Sequence, residues 1–199
     1  TFGVRVQRGP LPGAGEWTRA HGNSGNTFST TDSIVKLPLG ILWWGGVGPD
    51  RIVTRHWRAP VPLFSKGHMF IQGQHDIIGV DAYTGREMWN RHIRDVGRFP
   101  ATFRGGNIIA DGDCVYCVKG LTCYALDATT GETVRRYTHP LSPEQREEAE
   151  KLIPLHGMIG GMDGKRELIS PSIVWEFLGM VDDCLIGTLG YDAANITHN

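Results

Sequence analysis

The residues of this 199-residue chain that could bind a ligand are concentrated in one arginine- and histidine-rich run. This run, RHWR, occupies positions 55–58, and His75 follows it further along the chain. Guanidinium and imidazole groups bind carboxylates and other anions. Arg55, His56, Arg58 and His75 are therefore candidate ligand-binding residues. The favoured interpretation of this run is a charged strand edge that discourages pairing with other chains.

Cysteines could supply a second kind of chemistry. Cys114 and Cys117 have the spacing of redox and zinc sites, but on a β-strand such residues point to opposite faces. Buried, small apolar side chains are therefore the favoured interpretation. Cys117 and Cys123 flank a predicted hairpin and could approach each other, although a bridge requires suitable geometry. With Cys184, these residues leave the disulfide state and the cellular compartment open.

Oxygen donors near the end of the chain could bind a hard cation. Asp182, Asp183 and Asn195 carry suitable carboxylate and amide groups. A hairpin turn explains the aspartate pair equally simply, and we predict the turn and no metal site. The sequence at 195–197 also matches a glycan acceptor, a pattern that is common by chance.

An internal repeat predicts the elements that position these residues. Residues 67–92 (GHMFIQGQHDIIGVDAYTGREMWNRH) and 112–139 (GDCVYCVKGLTCYALDATTGETVRRYTH) each contain an apolar run, a turn, a second apolar run and D-A-x-T-G. The turn residues recur 46 positions apart: Asp81, Thr84 and Gly85 match Asp127, Thr130 and Gly131. One small sheet cannot bury both faces alone, so this period is typical of β-propeller blades that stack.

We therefore predict an all-β fold, a partial β-propeller of four-stranded antiparallel blades with about two and a half blades and one short inserted helix. Residues 1–16 are predicted to be an irregular lead-in, and residues 17–199 the incomplete propeller. Within it, a helical and glycine-rich insert covers 141–172, and the next blade starts at 173–190. The helix is expected from Pro143 to Leu152. The apolar run from Leu37 to Gly46 predicts a first strand covered on both faces.

Composition excludes two classes of partner. The formal net charge is −1 and the isoelectric point is about 6.7, so no basic field attracts nucleic acid. No apolar run reaches the roughly 18 residues of a membrane-spanning helix. We predict neither a nucleic-acid partner nor a membrane span.

The repeats resemble those of a known family. GVDAYTGREMW (79–89) and ALDATTGETVR (125–135) resemble the propeller repeats of pyrroloquinoline-quinone (PQQ)-dependent dehydrogenases. They are also similar to the cofactor-free relatives of those enzymes, including the outer-membrane assembly lipoprotein. Four residues near the start of the chain have a spacing that resembles the start of such propellers: Trp17, Gly22, Asn23 and Thr30. The chain resembles above all long secreted proteins of planctomycete type.

The resemblance implies structural roles. Trp89 would pack between adjacent blades, and Arg135 takes the equivalent place in the second repeat. Closed propellers have about four to eight blades. We therefore expect the remainder of the propeller, another copy or a companion protein chain to complete this one. On the family pattern, the Leu37 to Gly46 strand would join a blade whose other strands come from elsewhere in the full protein.

The resemblance also implies two functions. None of the four cysteines forms the adjacent pair of the quinone enzymes. We therefore expect a non-catalytic scaffold or partner-binding module without a cofactor, in a secreted or periplasmic bacterial protein. The alternative is a fragment of a PQQ-dependent alcohol or sugar oxidoreductase, with PQQ and calcium, whose catalytic blades lie outside this chain.

Overall fold

The fold is built from short antiparallel strands joined by tight turns. The computed structural model describes residues 11–52, 60–73, 75–94, 96, 108–119, 121–138, 142–144, 147 and 172–192. Ten strands lie in these ranges: β1 Leu63–Ser65, β2 His68–Gln72, β3 Asp76–Asp81, β4 Glu87–His92, β5 Ile108–Asp111, β6 Cys114–Lys119, β7 Thr122–Asp127, β8 Thr133–Thr138, β9 Ser172–Val181 and β10 Cys184–Asp192. No helix among the described residues is long and apolar enough to cross a membrane.

Two four-stranded sheets repeat one topology. The first sheet has the order β1-β2-β3-β4 and the second β5-β6-β7-β8, with every neighbouring pair antiparallel. Each has a register shift at the same place, between Gly79 and Val80 in β3 and between Ala125 and Leu126 in β7. The prediction of an all-β, partial propeller with four-stranded antiparallel blades is confirmed, and we call these sheets blade 1 and blade 2.

The main core lies between the two blades. Blade 1 contributes Leu63, Phe70 and Ile77 to it, and blade 2 contributes Val115 and Leu126, all nearly inaccessible to solvent. Burial of each such side chain contributes roughly 1.5 to 3 kcal/mol. Neither sheet could bury these residues alone, which is the physical reason that the repeat must stack.

A third sheet packs on the other face of blade 2. It contains β9 and β10, joined at Asp182 and Asp183, where Asp182 has a φ of 50°. A second core forms here from Ile109, Val118, Cys123 and Leu178. The described residues of this sheet thus form half a blade.

The prediction that Leu37 to Gly46 form a strand is wrong for the described structure. Leu37, Ile41 and Trp44 are 86%, 87% and 92% exposed, and the segment has no regular structure. The described part of the chain contains no strand that pairs with it, and an isolated extended segment has no ladder to stabilise it.

Other expectations fall largely outside the described residues. Within the insert predicted at 141–172, the structure describes 142–144, 147 and 172, of which Pro143, Glu144 and Glu147 are helical. The hydroxyl of Ser142 donates a hydrogen bond to Glu144 Oε2 at 2.8 Å. Residues 1–10 of the predicted lead-in also lie outside the described ranges.

Candidate functional site

The repeated aspartate shapes a corner in each blade. Asp127 Oδ1 accepts hydrogen bonds from the amides of Thr129 and Thr130 at 2.9 and 2.8 Å and from the Thr130 hydroxyl at 3.1 Å. Burial alone would raise the pKa of Asp127, but these donors outweigh it and hold the pKa below its usual value. Asp81 receives the same two amide bonds, at 3.0 Å each, from Tyr83 and Thr84.

Each corner ends in a glycine that a tryptophan covers. Gly131 has a φ of 72°, and a Cβ there would lie 2.5 Å from Cε3 of the Trp89 indole. Trp89 is 8% exposed, and its Nε1 donates to Ala128 O at 2.9 Å. The Asp-x-x-Thr-Gly corner of blade 2 is therefore the surface on which the last strand of blade 1 docks.

Trp43 makes the same contacts one repeat earlier. Its Nε1 donates to Ala82 O at 2.8 Å, and its indole covers Gly85, which also has a φ of 72°. A Cβ on Gly85 would lie 2.5 Å from Cε3 and 2.6 Å from Cδ2 of Trp43, almost the same as for Gly131 and Trp89. In both cases donor and acceptor are 39 residues apart.

The next junction has a different anchor. Arg135, at the position equivalent to Trp89, is exposed, and its guanidinium lies 5.9 Å from the Tyr137 ring. Blade 2 is instead joined to the third sheet by Trp175, whose Nε1 donates to Leu121 O at 2.8 Å. At this junction the docked tryptophan therefore lies in β9, whereas at the first junction it lies in β4.

Residues 17–24, which we call the opening segment, contact the first strand of each of the three sheets. Trp17 exchanges two backbone hydrogen bonds of 2.8 Å with Phe64 in β1, and Thr18 O accepts from Ala110 N in β5 at 2.8 Å. The Ser24 hydroxyl donates to Met180 O in β9 at 2.9 Å. The opening segment therefore lies along β1, β5 and β9.

Asn23 holds the bend of this segment. Its Oδ1 accepts from the Gly25 amide at 3.0 Å, and its Nδ2 donates to Thr27 Oγ1 at 2.8 Å. Gly22, with a φ of 97°, allows the chain to reverse beside it. The spacing that resembles the family's opening residues thus corresponds to a turn.

Arg19 is a buried cation that the sequence did not reveal. It is 3% exposed, its guanidinium carbon lies 4.2 Å from the centre of the Phe177 ring, and burial lowers its pKa. Nε and Nη1 have no hydrogen-bond partner among the described residues. Since Arg19 lies in a polar, turn-rich stretch, no apolar pattern indicated its burial.

The predicted anion site is described only in part. Arg55, His56 and Arg58 lie outside the described residues. His75 is half-buried, and its ring lies 6.2 Å from that of His92, which in turn contacts Asp76 Oδ1 at 3.1 Å. The ligand role of these four residues stays a prediction.

The cysteines are free thiols. Cys117 belongs to the core between blades 1 and 2, and Cys123 to the core on the other face of blade 2. Because Cys123 pairs with Val118, the residue after Cys117, the two thiols point to opposite faces. Burial raises the pKa of Cys123 to about 12 and that of Cys117 further. No group of three or more potential metal ligands occurs among the described residues.

Comparisons with known proteins give local similarities to solved structures. BamB from Moraxella catarrhalis is 23% identical, with a TM-score of 0.30 over 37% of this chain and 21% of that chain. A europium-containing methanol dehydrogenase is 23% identical, with a TM-score of 0.33 over 50% of this chain and 19% of that chain. The chain thus spans about a fifth of the length of each. No protein-family model and no curated protein matches the sequence.

Proposed function

We propose that this chain is a non-catalytic β-propeller module that acts as a scaffold or partner-binding domain, within a larger secreted or periplasmic bacterial protein. The observation that carries the proposal is the exposure of the apolar residues around the docked Trp43. Trp43 is docked on blade 1, yet the segment around it exposes Leu39, Ile41 and Trp44 by 69%, 87% and 92%. Exposed apolar surface of this kind marks an interaction site.

The residues with the most distinctive chemistry support a structural role. The two corner aspartates bond to their own turns, and Trp89 packs in the core between the blades. Buried thiols with a raised pKa are poor nucleophiles and poor metal ligands. The location outside the cytoplasm rests on the resemblance of the repeats to secreted and periplasmic proteins.

Site-specific photo-crosslinking in the natural host tests the proposal. A photoreactive phenylalanine analogue replaces Trp44, and a matched control replaces the exposed Glu132 at the corner of blade 2. We expect a protein adduct at position 44 that the control does not give. Absence of an adduct at 44, or the same adducts at both positions, would contradict partner binding through this segment.

A second assay separates this function from the oxidoreductase alternative. Because the catalytic blades of the alternative would lie outside this chain, the larger protein that contains it is mixed with PQQ and calcium and assayed with alcohols and aldoses, using an artificial electron acceptor. A scaffold shows no turnover and no change in melting temperature. Cofactor-dependent turnover would overturn the non-catalytic assignment.

A further inference from the structure

Two histidine rings lie near each other at the end of blade 1 opposite the Asp81 corner. His75 lies in the turn between β2 and β3, and His92 is the last residue of β4. The centres of their rings are 6.2 Å apart. Two imidazoles that share one zinc ion, with Zn–N distances of about 2.0 to 2.1 Å, have ring centres roughly 5 to 6.5 Å apart. The separation of the two rings is therefore within the range that one metal ion bridges.

Asp76 determines which nitrogen of His92 can bind a metal. Its Oδ1 lies 3.1 Å from His92 Nδ1. An ionised carboxylate only accepts hydrogen bonds, so Nδ1 carries the proton and the lone pair of the neutral ring is on Nε2. Metal-binding histidines donate their second ring N–H to a carboxylate in the same way. Since Asp76 is engaged with His92, the two histidines are the direct ligands, which agrees with the absence of any larger set among the described residues.

The backbone holds the three side chains in place. Asp76 and His92 pair directly across β3 and β4, so their side chains share one face of the sheet. The Ile93 amide donates to His75 O at 2.8 Å. The Gly73 amide donates to Asp76 O, also at 2.8 Å. The site is therefore built on a strand pair and a hydrogen-bonded turn, which hold the ligands before an ion binds.

The propeller repeat does not require these side chains. One repeat later, the three equivalent positions carry neither histidine nor carboxylate: Leu121, Thr122 and Thr138. Thr122 pairs with Thr138 in blade 2 as Asp76 pairs with His92 in blade 1. The same backbone thus forms without these groups, so the fold alone does not explain their presence in blade 1.

The charges near the site permit a bound cation. Arg51 interacts electrostatically with Asp76, but its guanidinium is bonded to Glu87 at 2.6 and 3.2 Å, and this pair is neutral overall. The side chain of His92 is 68% exposed and that of Asp76 is 21% exposed. Water molecules can therefore complete the coordination shell of an ion bound here.

We propose that His75 and His92 bind a divalent transition-metal ion of the zinc kind, and that Asp76 is a positioning residue for His92. Imidazole nitrogen suits Zn²⁺, Cu²⁺ and Ni²⁺, whereas Ca²⁺ and Mg²⁺ prefer oxygen ligands. A bound dication would itself attract an anion, which agrees with the candidate anion-binding role of His75. The inference does not depend on the proposed partner-binding function, because the site lies at the opposite end of blade 1 from the docked Trp43.

Isothermal titration calorimetry of the chain with Zn²⁺ tests the two ligands. A Cys184→Ser background removes an exposed thiol that could bind zinc by itself. We expect one ion per chain, and an affinity at least about tenfold lower in His75→Gln and in His92→Gln. His21→Gln, in the opening segment, is the matched control and should bind as the parent does. No one-to-one binding, parent affinity in either blade 1 variant, or equal affinity for Ca²⁺ would overturn the proposal.

Nuclear magnetic resonance of the histidine ring nitrogens tests the role of Asp76. Zn²⁺ should shift the rings of His75 and His92 together, with His92 bound through Nε2 and still protonated at Nδ1. Asp76→Ala should lower the zinc affinity about tenfold and leave His92 in a mixture of tautomers without metal. Urea midpoints show that each variant is folded. A zinc-induced shift of only one ring would overturn the shared site, and an unchanged tautomer and affinity in Asp76→Ala would overturn the positioning role.

Discussion

At the scale of single residues, the tryptophan–glycine contact explains how consecutive repeats attach. The Trp89 indole is buried between Gly79 and Gly131, and its Nε1–H donates a hydrogen bond to Ala128 O. A buried aromatic side chain combines a large apolar area with a polar group that must find an acceptor. The carbonyl of the Asp-x-x-Thr-Gly corner is that acceptor, so the corner and the tryptophan belong to one device.

Replacement of Trp89 by Ala should destabilise the chain strongly. Loss of a buried indole costs about 3 to 5 kcal/mol through lost burial and the cavity that is left. Urea unfolding followed by circular dichroism measures the change. Trp44→Ala is the control, because Trp44 is 92% exposed and its loss should cost less than about 0.5 kcal/mol. Equal midpoints for the two variants would contradict the docking role of Trp89.

Asp127→Asn should alter the pH dependence of stability. The folded-state pKa of Asp127 is lowered, so its stabilisation is fully present above the unfolded pKa of about 3.9 and is lost as pH falls through the folded pKa. The stability difference between the wild type and Asp127→Asn should therefore be present at neutral pH and shrink in acid below about pH 4. Urea unfolding across this pH range measures it. A difference that does not change with pH would contradict the account.

At the scale of elements, the corner requires glycine for two reasons that can be separated: the positive φ and the close approach of a tryptophan. Gly131 and Gly112 both have positive φ, 72° and 57°, but a Cβ on Gly112 meets no atom within 4 Å. Gly112→Ala should therefore cost only the backbone term, about 1 to 2 kcal/mol. Gly131→Ala should cost more, because its Cβ would displace the Trp89 indole. Equal urea midpoints would show that the tryptophan does not press on the corner.

The strand geometry of blade 2 also fixes the order of thiol reactivity. Cys117 and Cys123 are fully buried on opposite faces, while Cys184 is exposed. Titration of the native chain with a thiol reagent at pH 8 should modify Cys184 first. Cys117 and Cys123 should react only after urea unfolds the chain. Rapid modification of either in the native state, or a bond between them, would contradict the packing.

The sequence predicted elements well where local pattern decides the structure. The repeated strands and the D-A-x-T-G turns carry their own signals, since glycine and aspartate are required at each corner. The strand at Leu37 to Gly46 was predicted from apolar residues alone, and a strand also needs a partner that the described residues do not supply. The short β1 and β5 contain only 3 and 4 residues, so no periodicity marked them.

The candidate site was less predictable. Trp43 lies 46 residues before Trp89, and this offset was the signal that could have identified it. It was missed because the first repeat is incomplete and no D-A-x-T-G motif precedes Trp43. Arg19 had no such signal, because its burial depends on Phe177, which is distant in sequence.

At the scale of the whole molecule, the described residues form two complete blades and half of a third. The opening segment contacts the first strand of each of the three sheets. The two ends of the stack of sheets differ. One end presents Trp43 with apolar neighbours, and the other presents a two-stranded sheet. The exposed apolar side chains around Trp43 are the basis of the proposed scaffold function.

Hydrogen exchange of the tryptophan indole N–H groups, measured by nuclear magnetic resonance, tests the central claim most directly. The Trp89 Nε1 proton, bonded and buried, should exchange slowest; that of Trp43, bonded but half-buried, should be faster, and that of Trp44, 92% exposed, fastest. Exchange of the Trp43 indole N–H as fast as that of Trp44 would contradict a tryptophan docked on the corner of blade 1.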